Sequence, residues 1–263
     1  MSDILVANNV SKIYFDRVAR DNVLALSGIS LSVKANEFVS IIGPSGCGKS
    51  TFLRMVAGLD KPTSGEILVS GSKVTGPGAD RGMVFQEYAL LPWKTTSANI
   101  EFGLKLKKVP KQERELIVQR FVDLVGLKGF ERKYPHQLSG GMRQRAAVAR
   151  VLANNPVMLL MDEPFAAVDA MTRQHLQEEL TVITTLERTT VLFITHAIEE
   201  AVFLSDRVVA LSGRPGRIVA DMRIDLPRPR RWVDVMHDAG FIRYRDELNQ
   251  CIYNSADQRL EHA

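Results

Sequence analysis

The stretch FVSIIGPSGCGKSTFLRMVAG, residues 38–58, decides the fold of this chain. Residues 38–42 are almost all apolar and predict a strand, and residues from about Lys49 to Gly58 predict a helix. The turn between them matches the phosphate-binding pattern G-x-x-x-x-G-K-[ST]. A strand, a glycine-rich turn and a helix in this order indicate the first unit of an α/β fold that binds a phosphate.

Each residue type in this turn, residues 43–51, which we call the phosphate loop, suits an anion. Glycines let backbone N–H groups turn inward, Lys49 can reach the β- and γ-phosphates, and Ser50 can ligate Mg²⁺. The alternatives are a glycine turn with an incidental lysine and a redox role for Cys47; both are minor. The residues predicted to bind nucleotide are Gly43, Pro44, Ser45, Gly46, Cys47, Gly48, Lys49, Ser50 and Thr51.

Outward from this unit, short apolar runs alternate with helical patterns, which predicts an α/β fold with a mainly parallel sheet. Residues 97–154 read as helices and suggest an inserted helical subdomain, and turns at 62–65 and 76–78 suggest a small β-region. We expect an ATPase domain over 1–225, then a proline-stiffened connector and a C-terminal helix within 226–263. The further predicted strands are 83–85, 157–161, 191–195, 207–211 and 217–219, the last two forming a hairpin.

Polar side chains follow three of these strands: Gln86, the pair Asp162-Glu163, and His196. Ligands of open α/β sheets bind at the carboxyl ends of strands, so these residues should meet the phosphate loop. Asp162 would bind Mg²⁺ and Glu163 would orient or deprotonate a water. Gln86 would contact Mg²⁺ or that water, and His196 the γ-phosphate. A surface amide, a helix-capping pair and a structural histidine are the alternatives.

A second small-residue helix start lies in LSGGM, residues 138–142, the signature segment. Ser139, Gly140 and Gly141 precede or open a predicted helix, whose N-terminus favours an anion. A plain N-cap by Ser139 explains the local geometry but not the two glycines.

The composition limits the classes of function that the chain can have. The 263 residues carry a net charge of +4, which is too mild to indicate nucleic-acid binding. Two cysteines favour a reducing compartment, and neither a signal peptide nor a membrane-spanning run is expected. The basic runs at 105–108 and 228–231 read as solvated faces, with a patch for nucleic acid or an anionic membrane as the alternative.

The phosphate loop, Gln86, LSGGM, LLMDEP and His196, in this order and spacing, resemble the nucleotide-binding subunit of an ABC transporter over residues 4–225. The resemblance implies a RecA-like core with a small antiparallel β subdomain, ATP and Mg²⁺ as ligands, and a homodimer packed head to tail. Each ATP would lie between the phosphate loop of one subunit and the signature segment of the other. Partners would be transmembrane permease subunits at the cytoplasmic face of the cell membrane and, indirectly, a solute-binding protein.

By the same resemblance, Tyr14 would stack on adenine, with Phe15 as the competing candidate, and Asp169 would lie in the loop linking the two nucleotides. Trp93 would lie near the permease groove or simply pack. Met142 in place of glutamine, and AAVD at 166–169 in place of SALD, depart from the family pattern and could shift the hydrolysis rate. The segments EYALLPW, GRPGRI and PRPRR resemble importers of nitrate, sulfonates, taurine and related solutes.

Two other classes of protein fit the sequence less well. A soluble ABC ATPase of translation or DNA repair usually carries two cassettes or a long coiled coil, and this chain has one cassette and no sustained heptads. A phosphate-loop kinase has no use for LSGGM and needs an acceptor pocket of its own.

Overall fold

The computed structural model describes residues 3–257 except Arg17, Ala19 and Ala167, with the backbone alone for 255–257. Its strands are β1 (Asp3–Asp16), β2 (Asp21–Lys34), β3 (Phe38–Ile42), β4 (Ser64–Val69), β5 (Ser72–Lys73), β6 (Arg81–Val84), β7 (Met158–Asp162), β8 (Thr190–Ile194), β9 (Arg207–Leu211) and β10 (Ile218–Arg223). Its α-helices are α1 (Lys49–Val56), α2 (Thr96–Leu106), α3 (Lys111–Leu124), α4 (Gly140–Leu152), α5 (Ala170–Leu186), α6 (Ile198–Leu204), α7 (Trp232–Val235) and α8 (Ala239–Asp257). A 3-10 turn (Pro135–Gln137) precedes α4.

The strands form two sheets. The six-stranded sheet has the order β10-β9-β3-β8-β7-β6, and every pair in it is parallel except β10 with β9. The four-stranded sheet has the order β2-β1-β4-β5 and is antiparallel throughout. The prediction of an α/β fold with a mainly parallel sheet and a small antiparallel region is therefore confirmed.

Helix α1 lies between the two sheets, and this layering explains the sequence patterns. One apolar core joins α1 to β1, β2 and β4 on one side and to β3, β7, β8 and β9 on the other. A second core joins the opposite face of the parallel sheet to helices α2 to α6 and α8. Because both faces of β3 and β8 are covered, all five residues of each strand are buried, which is why both strands are mostly apolar in sequence.

The predicted strand bounds are correct to within one or two residues, except that β10 runs on to Arg223. The two longest strands, β1 and β2, were not predicted, because only one of their faces is buried and several register shifts break their alternation. Strand β6 begins at Arg81 rather than at Met83, since the polar Arg81 lies in the strand and donates to the carbonyl oxygens of Val56 and Gly76.

The region from 97 to 154 is helical, as predicted, and consists of α2, α3, the 3-10 turn and α4. Thr95 and Ser139 cap α2 and α4 by accepting hydrogen bonds from the N–H groups of Ala98 and Met142. These caps satisfy N–H groups that have no partner within a helix. In the part of the chain described above, no helix has the length and apolar content needed to cross a membrane.

The residues after Asp225 pack closely against the parallel-sheet core. Reading 228–231 as a solvated face is wrong for Arg230, which is buried and whose Nη1 donates to the carbonyl oxygens at the end of α6. Burial, with the nearby Arg228, lowers the pKa of Arg230 to about 10. Trp232 stacks on Phe203 with 4.2 Å between ring centroids. Helix α8 extends five residues beyond the predicted end at 252, and 258–263 lie outside the described residues.

Candidate active site

Four adjacent parallel strands bring the predicted site residues to one edge of the six-stranded sheet. Across the sheet the strands run β3, β8, β7, β6, and the residues that follow them are Gly43, His196, Glu163 and Gln86. Neighbouring strands lie about 4.8 Å apart, so a ligand the size of a nucleoside triphosphate is long enough to reach several strand ends along this edge. The order of these residues in space differs from their order along the chain.

The phosphate loop is fixed to the core by its glycines and by its lysine. Gly48 has φ +102°, and a Cβ there would lie 2.6 Å from Leu26 Cδ2, so no larger residue fits. The buried Lys49 Nζ donates to the carbonyl oxygens of Gly43 and Pro44, at 2.8 and 3.0 Å. The ammonium group thus lies against the backbone of its own loop. Cys47 is fully buried, which leaves its thiol inaccessible to redox partners.

Ser50 and Asp162 form the pair best suited to a metal ion. Ser50 Oγ, in the first turn of α1, donates to Asp162 Oδ1 at 2.8 Å. Burial raises the pKa of Asp162, and the charge of the adjacent Glu163 raises it further. Within the described residues, no cluster of three or more acidic, histidine or cysteine side chains could hold a metal alone. A hydroxyl and one carboxylate fit Mg²⁺, which usually completes its shell with water and substrate phosphates.

Glu163 and His196 lie together on neighbouring strand ends. His196 Nδ1 is 3.1 Å from Glu163 Oε2, and the N–H of Glu163 donates to the Ile194 carbonyl at 3.0 Å. Glu163 has φ +43°, a left-handed conformation that costs a non-glycine residue about 1–3 kcal/mol and is common at functional sites. Both side chains are partly exposed, so this carboxylate can contact a water and the imidazole can contact a ligand.

Gln86 lies two residues beyond β6, in an exposed turn closed by a hydrogen bond from the Tyr88 N–H to the Phe85 carbonyl. The strand thus ends at Val84, one residue before the predicted end at Phe85. Ala89, in the same loop, accepts a hydrogen bond of 2.6 Å from Arg150 Nη1 of α4. Trp93, later in this loop, is 70% exposed. The loop that carries Gln86 is thus fastened to the helix that carries the signature segment.

The signature segment opens helix α4 beside the start of helix α5. Ser139 is exposed and accepts from the Met142 N–H at 3.2 Å. Asp169 caps α5, and the Thr172 N–H donates to it at 3.0 Å and lowers its pKa. A Cβ on Gly141 would lie 3.0 Å from Thr172 Cγ2, so the two helix starts are in contact. Two helix N-termini side by side form a surface suited to an anion. Ala167, within AAVD, lies outside the described residues.

Tyr14 and Phe15 lie near the end of β1, and the structure gives Tyr14 the contacts to the phosphate-loop helix. Its phenol donates to Asp60 Oδ2 at 2.6 Å, and Thr51 contributes a second side-chain hydrogen bond. Burial, together with the Asp60 hydrogen bond, raises the pKa of Tyr14. Phe15 is the more exposed of the two rings.

Sequence reasoning did not find Lys12, Asp60 or Arg150, which contact the residues or loops just described. A surface lysine, aspartate or arginine has no pattern that marks its partner, because the contact joins segments far apart in the chain. Only the distances between the folded segments identify them.

The comparisons with known proteins agree with this geometry. The family model described as ABC transporter matches residues 26–166. An uncharacterized ABC transporter ATP-binding protein of Methanocaldococcus jannaschii is 53% identical over 93% of this chain and 89% of its own length. The nitrate import ATP-binding protein NrtD of Synechocystis sp. is 47% identical over 92% and 93%. A dimeric ATP-binding cassette in a post-hydrolysis state with ADP and Pi superposes with a TM-score of 0.73 and 33% identity, over 85% of this chain and 100% of that one.

Proposed function

The chain belongs to the ABC transporter family of ATP-binding proteins and is an ATPase that binds ATP and ADP, and we propose that it powers an importer through a separate transmembrane permease. The observation that carries this proposal is the row of phosphate loop, His196, Glu163 and Gln86 along one sheet edge, in a chain that also has a signature segment. A nucleotide kinase would have no use for that second anion site.

Within this site, Glu163 is the general base. Its carboxylate takes a proton from the water that attacks the γ-phosphate, a role worth about 10²- to 10⁴-fold in rate. The hydrogen bond to His196 orients that carboxylate, and the imidazole is also close enough to the strand edge to contact the γ-phosphate. Lys49 exchanges its bonds to the Gly43 and Pro44 carbonyls for phosphate oxygens when ATP enters.

Ser50 and Asp162 are the residues that would hold Mg²⁺, and Gln86, after the neighbouring strand, would be a further ligand. When bound with ATP, Mg²⁺ would supply positive charge that neutralises the charge developing on the phosphates. The hydrogen bond between Ser50 and Asp162 keeps the hydroxyl and the carboxylate oxygen 2.8 Å apart. The remaining loop residues, 43–48 and Thr51, surround the phosphates.

The functional unit is a homodimer in which each ATP is shared. The signature residues Ser139, Gly140 and Gly141 of one subunit complete the site at the phosphate loop of the other, and Asp169 lies in the loop between the two sites. Support comes from the exposed Ser139 cap and from the similarity to a dimeric cassette holding ADP and Pi. The domain boundaries, an ATPase domain over 1–225 and an appended segment over 226–263, stay a prediction.

The solute is a small polar molecule of the nitrate, sulfonate or taurine class. The similarity to a protein named for nitrate import and the loop sequence EYALLPW support this class. The permease contacts the loop with Gln86 and the exposed Trp93, and a solute-binding protein delivers the solute on the far side of the membrane. This places the chain at the cytoplasmic face of the membrane as a peripheral subunit.

The test is to tag the chain, isolate it from native membranes in mild detergent, and identify the proteins that co-purify. A multi-span permease, with ATP hydrolysis that disappears in Lys49→Ala, is the expected result. The same isolation with Trp93→Ala, at matched expression, should recover less permease. Ribosomal or DNA-bound material without a permease would overturn the importer assignment and leave the ATPase in place.

A further inference from the structure

Beside the candidate nucleotide site, Lys12, Tyr14 and Asp60 form a closed set of three mutual contacts. Lys12 Nζ lies 2.6 Å from Asp60 Oδ1. The Tyr14 phenol donates to Asp60 Oδ2 at 2.6 Å. Lys12 Nζ also lies over the Tyr14 ring, 4.8 Å from its centroid. Each of the three side chains therefore touches the other two.

This triangle joins two parts of the fold that a nucleotide would bridge. Lys12 and Tyr14 are on β1 of the antiparallel sheet, two residues apart. Asp60 lies in the turn that ends α1, where its N–H donates to the Arg54 carbonyl at 3.3 Å. Since α1 starts at the phosphate loop, the triangle fixes the aromatic side chain to the same helix that holds the phosphate end.

We propose that Lys12 and Asp60 are positioning residues that hold the Tyr14 ring as one wall of the nucleobase pocket, at a fixed distance from the phosphate loop. The inference rests on the proposed function and on the expectation, implied by the family resemblance, that Tyr14 stacks on adenine. It names two residues that fix the ring and that do not themselves contact the nucleotide.

Two physical effects support a positioning role. The Asp60 carboxylate accepts the phenol hydrogen bond, which fixes the ring at its far end, and charge-assisted bonds of this kind are strong. The Lys12 ammonium occupies one face of the ring, so a base can stack only on the other face. The restraining side chains are also the more buried ones, with 12% of Lys12 and 25% of Asp60 exposed.

The charges of the triangle are balanced within it. Asp60 also accepts from the Lys61 N–H, and the bonds from Lys12, Tyr14 and that N–H outweigh its burial and lower the pKa of this carboxyl. Lys12 donates a further bond of 2.7 Å to the Lys61 carbonyl. The hydrogen bonds of Lys12 and Asp60 are thus made within the protein, so the ring is held in one place before any nucleotide binds.

The experiment separates the base end of the nucleotide from the phosphate end. The purified full chain is compared with Lys12→Met and Asp60→Asn, and Lys61→Met serves as the matched control for loss of an adjacent positive charge. The measured quantities are kcat and KM for ATP, and the inhibition constants of ADP and of pyrophosphate. ADP carries the base, whereas pyrophosphate occupies the phosphate loop alone.

We expect KM for ATP and the inhibition constant of ADP to rise about three- to tenfold in both variants, which is the effect of losing one cation–π contact or one charge-assisted hydrogen bond. The pyrophosphate constant and kcat should stay within about twofold, and Lys61→Met should match the wild type. Tyr14→Phe, which keeps the ring and the Lys12–Asp60 pair, should raise KM by about two- to fivefold.

Equal rises for ADP and pyrophosphate would overturn the inference, because the triangle would then act on the phosphate loop or on the whole fold. Unchanged KM in Lys12→Met, Asp60→Asn and Tyr14→Phe would also overturn it, since the contacts would then be structural only. ATP hydrolysis that survives Lys49→Ala would instead overturn the proposed function, and this outcome is read from a different variant.

Discussion

The phosphate loop and the signature segment are both helix N-termini suited to an anion, but the rest of the chain holds them differently. Lys49 is buried beneath its loop, and α1 lies between the two sheets. Ser139 is exposed at the start of α4, in the helical region, and its neighbour across the surface is α5. The phosphate loop is thus enclosed by its own chain, whereas the signature segment is open to solvent. A site completed by a second subunit requires such an accessible signature segment.

The two ends also differ in the electrostatics of their acidic residues. Burial raises the pKa of Asp162 at the phosphate loop, whereas the hydrogen bond from the Thr172 N–H lowers the pKa of Asp169 near the signature segment. A nearby cation stabilises a half-buried carboxylate in its charged form, whereas the helix N-terminus already stabilises a capping carboxylate. The comparison therefore predicts that the charge of Asp162, at the phosphate loop, is stabilised by the ligand, whereas the charge of Asp169, near the signature segment, is stabilised without it.

The largest expected effect is that of Glu163→Gln, which keeps both ends able to bind but removes the base. Hydrolysis should fall about 10²- to 10⁴-fold, while ATP binding persists, because an amide cannot accept the proton of the attacking water. The variant should accumulate as a dimer when ATP is added, as measured by sedimentation. A variant that stays monomeric with ATP would contradict the shared site for the isolated chain.

Lys49→Ala should have the next largest effect, and it acts on the closed end alone. Loss of the ammonium removes charge-assisted bonds to the phosphates, so the dissociation constant for ATP should rise about 100-fold. Titration calorimetry measures this dissociation constant, and the Glu163→Gln background prevents hydrolysis of ATP during the titration. Lys61→Ala, outside the loop, is the control and should bind ATP as the parent does; unchanged binding in Lys49→Ala would refute the assignment of the phosphate loop.

Ser139→Ala tests the open end. ATP hydrolysis should fall about tenfold, because a donor to the partner's γ-phosphate is lost, but ATP affinity of the monomer should not change. The substitution also removes an N-cap, worth about 1 kcal/mol of stability. Thr95→Ala removes the cap of α2 and is the matched control. If both variants lose activity equally at equal stability, the signature segment has only a capping role.

The smallest expected effects are opposite changes in thermal stability without nucleotide. At pH 7.5, Asp162→Asn should raise Tm by at most about 2 °C, and Asp169→Asn should lower it slightly. The raised pKa of Asp162 means that its contribution is present below its ordinary 3.8 and is lost as pH rises through the raised value. The lowered pKa of Asp169 means the reverse, a contribution present above 3.8 and lost as pH falls through the lowered value.

Scanning fluorimetry from pH 7.5 to 4.5 measures both differences in one experiment. The Asp162→Asn difference should shrink as the pH falls, while the Asp169→Asn difference should persist through most of this range. Equal signs for the two variants at pH 7.5 would show that the two carboxylates do not differ in the way the structure describes.

The sheet that holds the site could be predicted from the sequence because it is covered on both faces. Every residue of β3 and β8 is buried, so each strand is mostly apolar in sequence, and the helices between the strands indicate that the strands are parallel. The site residues could be placed for the same reason, since parallel strands end at one edge. The phosphate loop itself needs only local residues, so its pattern is complete within nine positions.

The remaining features depend on contacts between distant segments. Arg230 reads as a solvated charge, but the carbonyl oxygens at the end of α6 surround it. The Lys12–Asp60 pair joins residues 48 positions apart. The left-handed backbone at Glu163 has no sequence mark either, because glycine and asparagine are the residues that usually indicate that conformation. Tertiary packing decides these points.

The strand order has a consequence for how the protein is made. Strand β3 carries the phosphate loop, yet its two neighbours are β8 and β9, and Phe38 pairs with Val191. At a synthesis rate of about 5–20 residues per second, roughly 8 to 30 seconds pass between the emergence of β3 and that of its first neighbour. During that interval the phosphate loop has been synthesised, but the strands that flank β3 in the parallel sheet have not. We therefore expect a nascent chain to bind nucleotide in this site only once translation is well into its last third.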